Sequence, residues 1–229
     1  MDKEYRMKAI GHIVSDFPEK FGIPRQSGRV KSLISKIVFE PEYRNPDALR
    51  ALDGFSHLWI LWIFSEAITE KRSPTVRPPR LGGNKRVGVF ATRSPYRPNP
   101  IGLSAVKIEK IDFEKCEITL SGGDIMDRTP IIDIKPYLPS ADKIDGAVGG
   151  FADALDSYRL NVIFDTVFPE DFPNDRKDAL IGILADDPRP SYQTDSDRIY
   201  GMDFAGFSVK FRVENDVGNL RVIEIERIK

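Results

Sequence analysis

Residues 56–64 read SHLWILWIF, an unbroken aromatic and aliphatic run. With no polar position after His57, it reads as a strand buried on both faces, with Trp59 and Trp62 in the core. Its apolar stretch, Leu58 to Phe64, is the longest in the chain and far too short to cross a bilayer. Upstream, AIGHIV (Ala9–Val14) and VKSLISKIVF (Val30–Phe39) are β-branched strand candidates separated by a long Pro- and Gly-containing loop. Residues Pro46 to Leu52 are expected to form a short helix after Asn45. Downstream, SPTVRPPRLGGN (residues 73–84) carries three prolines and two glycines, too many for a ladder. Strand character resumes in RVGVFAT (Arg86–Thr92), then in Ile101–Ile111, Cys116–Ser121, Asp124–Met126 and Ile131–Ile134.

Short strands with Gly and Pro turns and few helical periods predict a mainly β fold, a barrel or sandwich, and argue against alternating βαβ units. Beyond Pro139 the sequence reads as loop, followed by a helix over Pro173–Leu184 and strands over Gly206–Glu214 and Asn219–Ile228. Two units are therefore expected: residues 1–155, mainly β, and residues 156–229, a small α+β domain.

The chain has 229 residues, 41% of them hydrophobic, and one cysteine, Cys116, so an intrachain disulfide is excluded. That usage and the absence of a signal-like N-terminus predict a cytoplasmic protein with no membrane segment. The net charge of −1 hides an uneven distribution. Lys71 to Pro100 contains eight Lys and Arg residues and no Asp or Glu, whereas Asp153 to Asp203 is acidic. No G-x-G-x-x-G, phosphate-loop lysine motif, C-x-x-C or H-E-x-x-H is present, which removes the common dinucleotide, phosphotransfer and zinc readings.

Three segments carry polar groups in informative patterns. In RVGVFATRSPYRPNPIGLSAV (Arg86–Val106), prolines 95, 98 and 100 fix the backbone of a loop presenting Arg93, Ser94, Arg97 and Asn99, an arrangement suited to an anion. In SGGDIMDRTPIIDIKPY (Ser121–Tyr137), Asp124, Asp127 and Asp133 read chiefly as turn caps, with a metal or base role as the alternative. No companion metal ligands accompany them, so no metal is expected. In PEKFGIPRQSGR (Pro18–Arg29), Phe21 and Pro24 suit an apolar pocket, and Arg25 and Gln26 supply donors. His57, at the start of a buried strand, reads as a satisfied core residue before a catalytic one.

FSHLW (Phe55–Trp59), RPPRLGGNKRVGVFATRSPYRPNPIGLS (Arg77–Ser104) and DRTPIIDIKPYLP (Asp127–Pro139) resemble the TsaA-like family, whose best-understood members are TrmO-type tRNA methyltransferases. KFGIPRQ (Lys20–Gln26) and DPRPSY (Asp187–Tyr192) resemble members with a C-terminal extension, so the likeness covers nearly the whole chain. It implies a single-sheet, non-Rossmann β-barrel that binds S-adenosylmethionine, usually as a homodimer with the cofactor near the subunit boundary. It also implies transfer of a methyl group to the exocyclic nitrogen of threonylcarbamoyladenosine beside the tRNA anticodon. The positions matching the family's cofactor motifs are Arg25, Gln26, Ser27, Ser65, Glu66, Arg93, Leu103, Asp127, Arg128, Thr129 and Pro130. Arg128 stands where the family's turn usually has glycine.

Under that resemblance, the basic residues Lys71, Arg77, Arg80, Lys85, Arg86 and Arg97 are expected to hold RNA phosphates, with Arg189 and Tyr192 contributing from the tail. Asp127, Glu66 and His57 are the candidates for a base, and a reaction with no base is the fourth option. A methyltransferase of the same fold acting on another RNA or a small molecule, and a non-enzymatic RNA-binding module, are the alternative functions.

Overall fold

The computed structural model describes residues 4–70, 73–78, 81, 85–155, 159–190, 193 and 195–228. Lys71, Arg80 and Tyr192, assigned to RNA above, lie outside the described residues, as does Asp156, the expected start of the second unit.

In chain order the strands are β1 (Gly11–Val14), β2 (Ile34–Phe39), β3 (His57–Ile63), β4 (Thr75–Val76), β5 (Val87–Gly88), β6 (Ile101–Asp112), β7 (Glu117–Ser121), β8 (Pro130–Pro136), β9 (Asn161–Phe164), β10 (Tyr200–Phe204), β11 (Phe207–Glu214) and β12 (Asn219–Arg227). Six of them close an antiparallel barrel in the order β1-β2-β7-β6-β3-β8. Closure leaves one interior, so each strand alternates. Leu58, Ile60 and Trp62 of β3 point inward with Ile13, Ile37, Ile118, Leu120 and Ile131. The continuous apolar run is thus a one-faced strand, and Trp59 is not core: it is half-buried outside, 5.5 Å from the Tyr137 ring. Leu61 pairs with Asp133 and Trp62 with Ile131, so β8 carries Ile132 as the extra residue of a bulge opposite the end of β3, at the barrel rim.

Other local expectations shift for identifiable reasons. Arg86–Thr92 is strand only at Val87–Gly88, which pair with the two residues of β4, and Val89–Ala91 then coil into a 3₁₀ turn. Asp124–Met126 has no ladder partner and is irregular, and Pro46–Leu52 forms tight 3₁₀ turns around Ala51, which has φ 66°. The helix over 173–184 is resolved into a 3₁₀ turn at Asn174–Arg176 and α2, Lys177–Ala185, after the single helical turn α1 at Pro139–Asp142.

The second sheet runs β10-β11-β12-β9, with β9 parallel to β12. Ala205 and Gly206, both at positive φ, make the two-residue β10–β11 turn. One face of this sheet, including Phe204, Phe207, Val209 and Phe211, buries Ala179, Leu180, Ile183 and Leu184 of α2.

Residues 15–33, the crossover from β1 to β2, join that second core although they precede it by more than a hundred positions. Phe17, Val30 and Leu33 are all buried in it, and the Phe17 ring lies 5.4 Å from Phe204. This is why β2 begins at Ile34: Val30 is taken by α2, at a point where a Cβ on Gly182 would stand 2.6 Å from Val30 Cγ1. Phe17→Ala should lower stability by about 3–5 kcal/mol in urea unfolding followed by fluorescence, since it empties a fully enclosed aromatic site.

Candidate functional site

At the rim where β3 ends, a cleft of about 900 Å³ opens. Its floor is the end of β3 and the start of β6, directly paired through Trp62–Gly102 and Leu61–Leu103. A Cβ on Gly102 would meet Trp62 Cε2 at 2.2 Å, so the absence of a side chain there lets the backbone lie against the indole. Phe64, Phe90, Ile101, Leu103 and Met126 supply apolar surface.

One wall is the proline-rich loop, held by its own hydrogen bonds. Arg97 Nη1 donates to Thr92 O at 3.1 Å, the Ser94 amide to Thr92 Oγ1 at 3.2 Å, and the Phe64 amide to Pro100 O at 2.8 Å. The opposite wall is the crossover. Arg93 Nη1 donates across the gap to Gln26 Oε1, joining the two walls.

The crossover is fixed from behind by the second unit. Arg25 Nη2 donates to Arg189 O at 2.7 Å, Arg29 Nε donates to Asp186 Oδ1 at 2.7 Å, and Arg159 Nη2 donates to Arg29 O at 2.7 Å. Asp186 is 4% exposed, so this ion pair is shielded from screening.

Deeper in the cleft, Trp62 Nε1 donates to Ser104 Oγ at 3.0 Å and Ser104 Oγ donates to Asp124 Oδ1 at 2.6 Å. Burial pushes the Asp124 carboxyl above the usual carboxylate range. Hydrogen bonds from Ser104 and from the backbone of Asp124 and Ser27, and the positive charge of Arg93, act the other way. By sequence Asp124 reads chiefly as a turn cap, with a metal or base role as the alternative. The available signal was Ser104, a polar residue at an inward position of a barrel strand, which requires a partner.

Of the residues that the resemblance assigns to the cofactor, Arg25, Gln26, Ser65, Glu66, Arg93, Leu103 and Thr129 line this cleft, and Ser27 adjoins it through its amide to Asp124. Asp127, Arg128 and Pro130 do not line it; they build the turn beneath Thr129. Asp127 Oδ1 accepts the Ser15 amide at 3.0 Å, and Arg128 adopts φ 61° with its side chain 91% exposed. The left-handed conformation that glycine takes easily is thus kept with arginine, at a cost of about 1 kcal/mol. Glu66 is ion-paired with Lys20 at 3.0 Å. His57 is exposed, bonded to Ser56, and sits at the other end of β3 from Trp62.

A second cavity of about 1440 Å³ shares Arg25, Gln26, Phe90, Thr92, Arg93 and Pro95 with the cleft. Arg77, Arg86 and Tyr96 line it; Phe90 and Tyr96 are 78% and 59% exposed. Lys85 is exposed beside Arg86, and Arg97 lines the first cleft, not the second cavity. Arg189, expected at the RNA surface, is 4% exposed: its guanidinium grips both Asp187 oxygens at 2.9 Å and donates to Asn215, a role within the fold. Among the described residues, no cluster of three His, Cys, Asp or Glu side chains is arranged to hold a metal, and no helix is long and apolar enough to cross a membrane.

The tRNA-methyltransferase O N-terminal domain matches residues 12–143 and the TrmO C-terminal domain matches residues 159–228. The tRNA (adenine(37)-N6)-methyltransferase of Escherichia coli K12 is 39% identical over 219 residues, 91% of this chain and 93% of that protein. The human protein of the same name is 37% identical over 191 residues, 81% of this chain and 42% of its own length. A crystal structure of TrmO from Pseudomonas aeruginosa superposes with a TM-score of 0.80 at 31% identity, covering 99% of this chain and 98% of that one. With both of its units matched, in order and across the barrel and the second sheet alike, this chain belongs to the TrmO family.

Proposed function

We propose that the protein is an S-adenosylmethionine-dependent tRNA methyltransferase that methylates N6 of threonylcarbamoyladenosine at position 37, the position named for its E. coli, Eikenella corrodens and human relatives. The observation that carries this reading is the cleft at the barrel rim, in which apolar surface, an arginine bridge and a recessed carboxylate converge.

These residues fit the cofactor. Its adenine suits the apolar surface of Phe64, Leu103 and Met126, its carboxylate suits Arg93 in a charge-assisted bond worth roughly 1.5–3 kcal/mol, and its amino group suits Glu66. When bound, it supplies an electrophilic methyl group on a sulfonium. The chain's own share is to hold donor and acceptor in line and exclude water, and such positioning alone supplies several kcal/mol.

RNA is received on the neighbouring cavity. Phe90 and Tyr96 offer exposed rings for base stacking, and Arg77, Lys85 and Arg86 offer cations for phosphates, with Arg97 supporting the loop between. The six residues shared by the two cavities form the line along which donor and acceptor meet.

Residues 1–155 act as the cofactor-binding unit and residues 156–229 as the accessory unit, with the crossover reaching from one to the other. A second copy of the chain covers the apolar rim at Ile68 and Leu103, which are 68% and 51% exposed, and the reaction takes place in the cytoplasm.

Labelled methyl groups should pass from S-adenosylmethionine to tRNA containing threonylcarbamoyladenosine and not to tRNA lacking it; label in neither, with cofactor binding intact, would point to another substrate. Arg93→Ala should weaken cofactor binding roughly 10- to 100-fold by calorimetry. Arg86→Ala should leave that affinity within about twofold and weaken tRNA binding, with a shallower dependence on salt. Equal losses of cofactor affinity in the two variants would contradict the division of roles.

A further inference from the structure

We infer that Asp124 is the general base of this site, taking the proton from the attacking nitrogen. The inference rests on the proposed methyl transfer and deepens it. A nitrogen flanked by a carbonyl is a weak nucleophile, so its N–H bonding pair must be released as the new bond forms. In the balanced step the proton passes to the Asp124 carboxylate, the freed pair makes the nitrogen–methyl bond, and the carbon–sulfur pair stays on sulfur as a neutral thioether.

The acidic residues and the histidine near the site are separated by their surroundings. Asp127 lies outside the cleft with one oxygen bonded to the Ser15 amide. Glu66 is more than half exposed and neutralised by Lys20. His57 stands at the far end of β3. Asp124 alone of the two carboxylates lining the cleft has no ion pair within 4 Å among the described residues.

The groups around Asp124 favour this use. Ser104 holds Oδ1 and is itself oriented by Trp62, so the carboxylate is fixed by side chains locked into the barrel wall. The charged residues lining the same cleft are Lys20, Arg25, Glu66, Arg93 and Arg97, and Arg93 is the one whose charge acts on Asp124. Burial outweighs these and raises the affinity for a proton above that of an ordinary carboxylate, the direction a base working near neutral pH requires.

Burial of an ionised group also carries a signature in stability that is independent of activity. Burial raises the folded-state pKa of Asp124 above the ordinary value of an aspartate, so its contribution to stability is present below that ordinary value and is lost as pH rises through the folded-state pKa. Replacing it by a neutral isostere removes that loss.

The test uses the full chain carrying Asp124→Asn, with Ser104→Ala as the second variant. Asp124→Asn should bind S-adenosylmethionine and S-adenosylhomocysteine within about threefold of wild type by calorimetry, while the single-turnover rate of methyl transfer to tRNA falls by about 100-fold or more. Its thermal midpoint should exceed that of wild type at neutral pH, with the gap closing below the usual carboxylate range. The wild-type rate should climb with pH through one ionisation. Ser104→Ala, which removes a donor to the charged form, should move that limb to higher pH. An undiminished rate in Asp124→Asn would overturn the assignment. A tenfold or larger loss of affinity for S-adenosylmethionine alone, with the rate at saturation retained, would make Asp124 a partner of the sulfonium and overturn it equally. A lowered midpoint at neutral pH would make it a structural anchor. No transfer by the wild-type protein would remove the proposed substrate, and the base with it, whereas loss confined to the Asp124 arms leaves that substrate standing.

Discussion

The crossover between β1 and β2 has to satisfy two cores. Its ends belong to the barrel, its apolar residues Phe17, Val30 and Leu33 belong to the core of the second sheet, and its middle carries Arg25 and Gln26 to the cleft. A loop of this length has a large conformational entropy to lose, and few of its residues pair with a strand. What orders it is the second unit: the Arg29–Asp186 pair, the Arg25 contacts with the 187–189 backbone, and aromatic packing against Phe204. Gln26 meets Arg93 only because these distant contacts hold it there.

The barrel contributes the opposite kind of order. β3 pairs with β6 along the whole of β3, so Trp62, Gly102 and Ser104 are placed to within the precision of a ladder. Gly102 gives the indole room, the indole gives Ser104 a donor, and Ser104 gives Asp124 one. A half-satisfied polar chain in a β-barrel wall would cost several kcal/mol, so this one has to be complete or absent. Trp62 and Asp124, the two ends of this chain of donors, both line the cleft.

Much of this was legible in the sequence. β3 and β6 are legible because their side chains carry strong strand propensity, and Arg93, Gln26 and Leu103, which line the cleft, are singled out by motifs that resemble a family. The burial of Trp59 was misread because an outward tryptophan against Tyr137 makes a one-faced strand look apolar on both sides. Val30 was read as strand because β-branching favours one, yet packing against α2 outweighed propensity. Arg189 looked like a surface cation, and only its distance from Asp187 and Asn215 in space reveals a structural role. Asp124 reads locally as a turn cap first and a base second, for the same kind of reason: its partner Ser104 lies twenty residues away and is itself held by Trp62, so the local sequence shows only an acid after two glycines.

Because the Gln26–Arg93 contact spans a loop rooted in one core and a loop rooted in the other, any ligand seated against both is a mortar between two cooperative units. Its binding free energy is shared by their folding equilibria: at a concentration one hundred times its dissociation constant it adds about 2.7 kcal/mol to whichever opening would break the contact. Local melting of the second sheet thus competes directly with ligand occupancy at the barrel, and the small unit, remote from the chemistry, sets how much of the protein at any moment is able to bind.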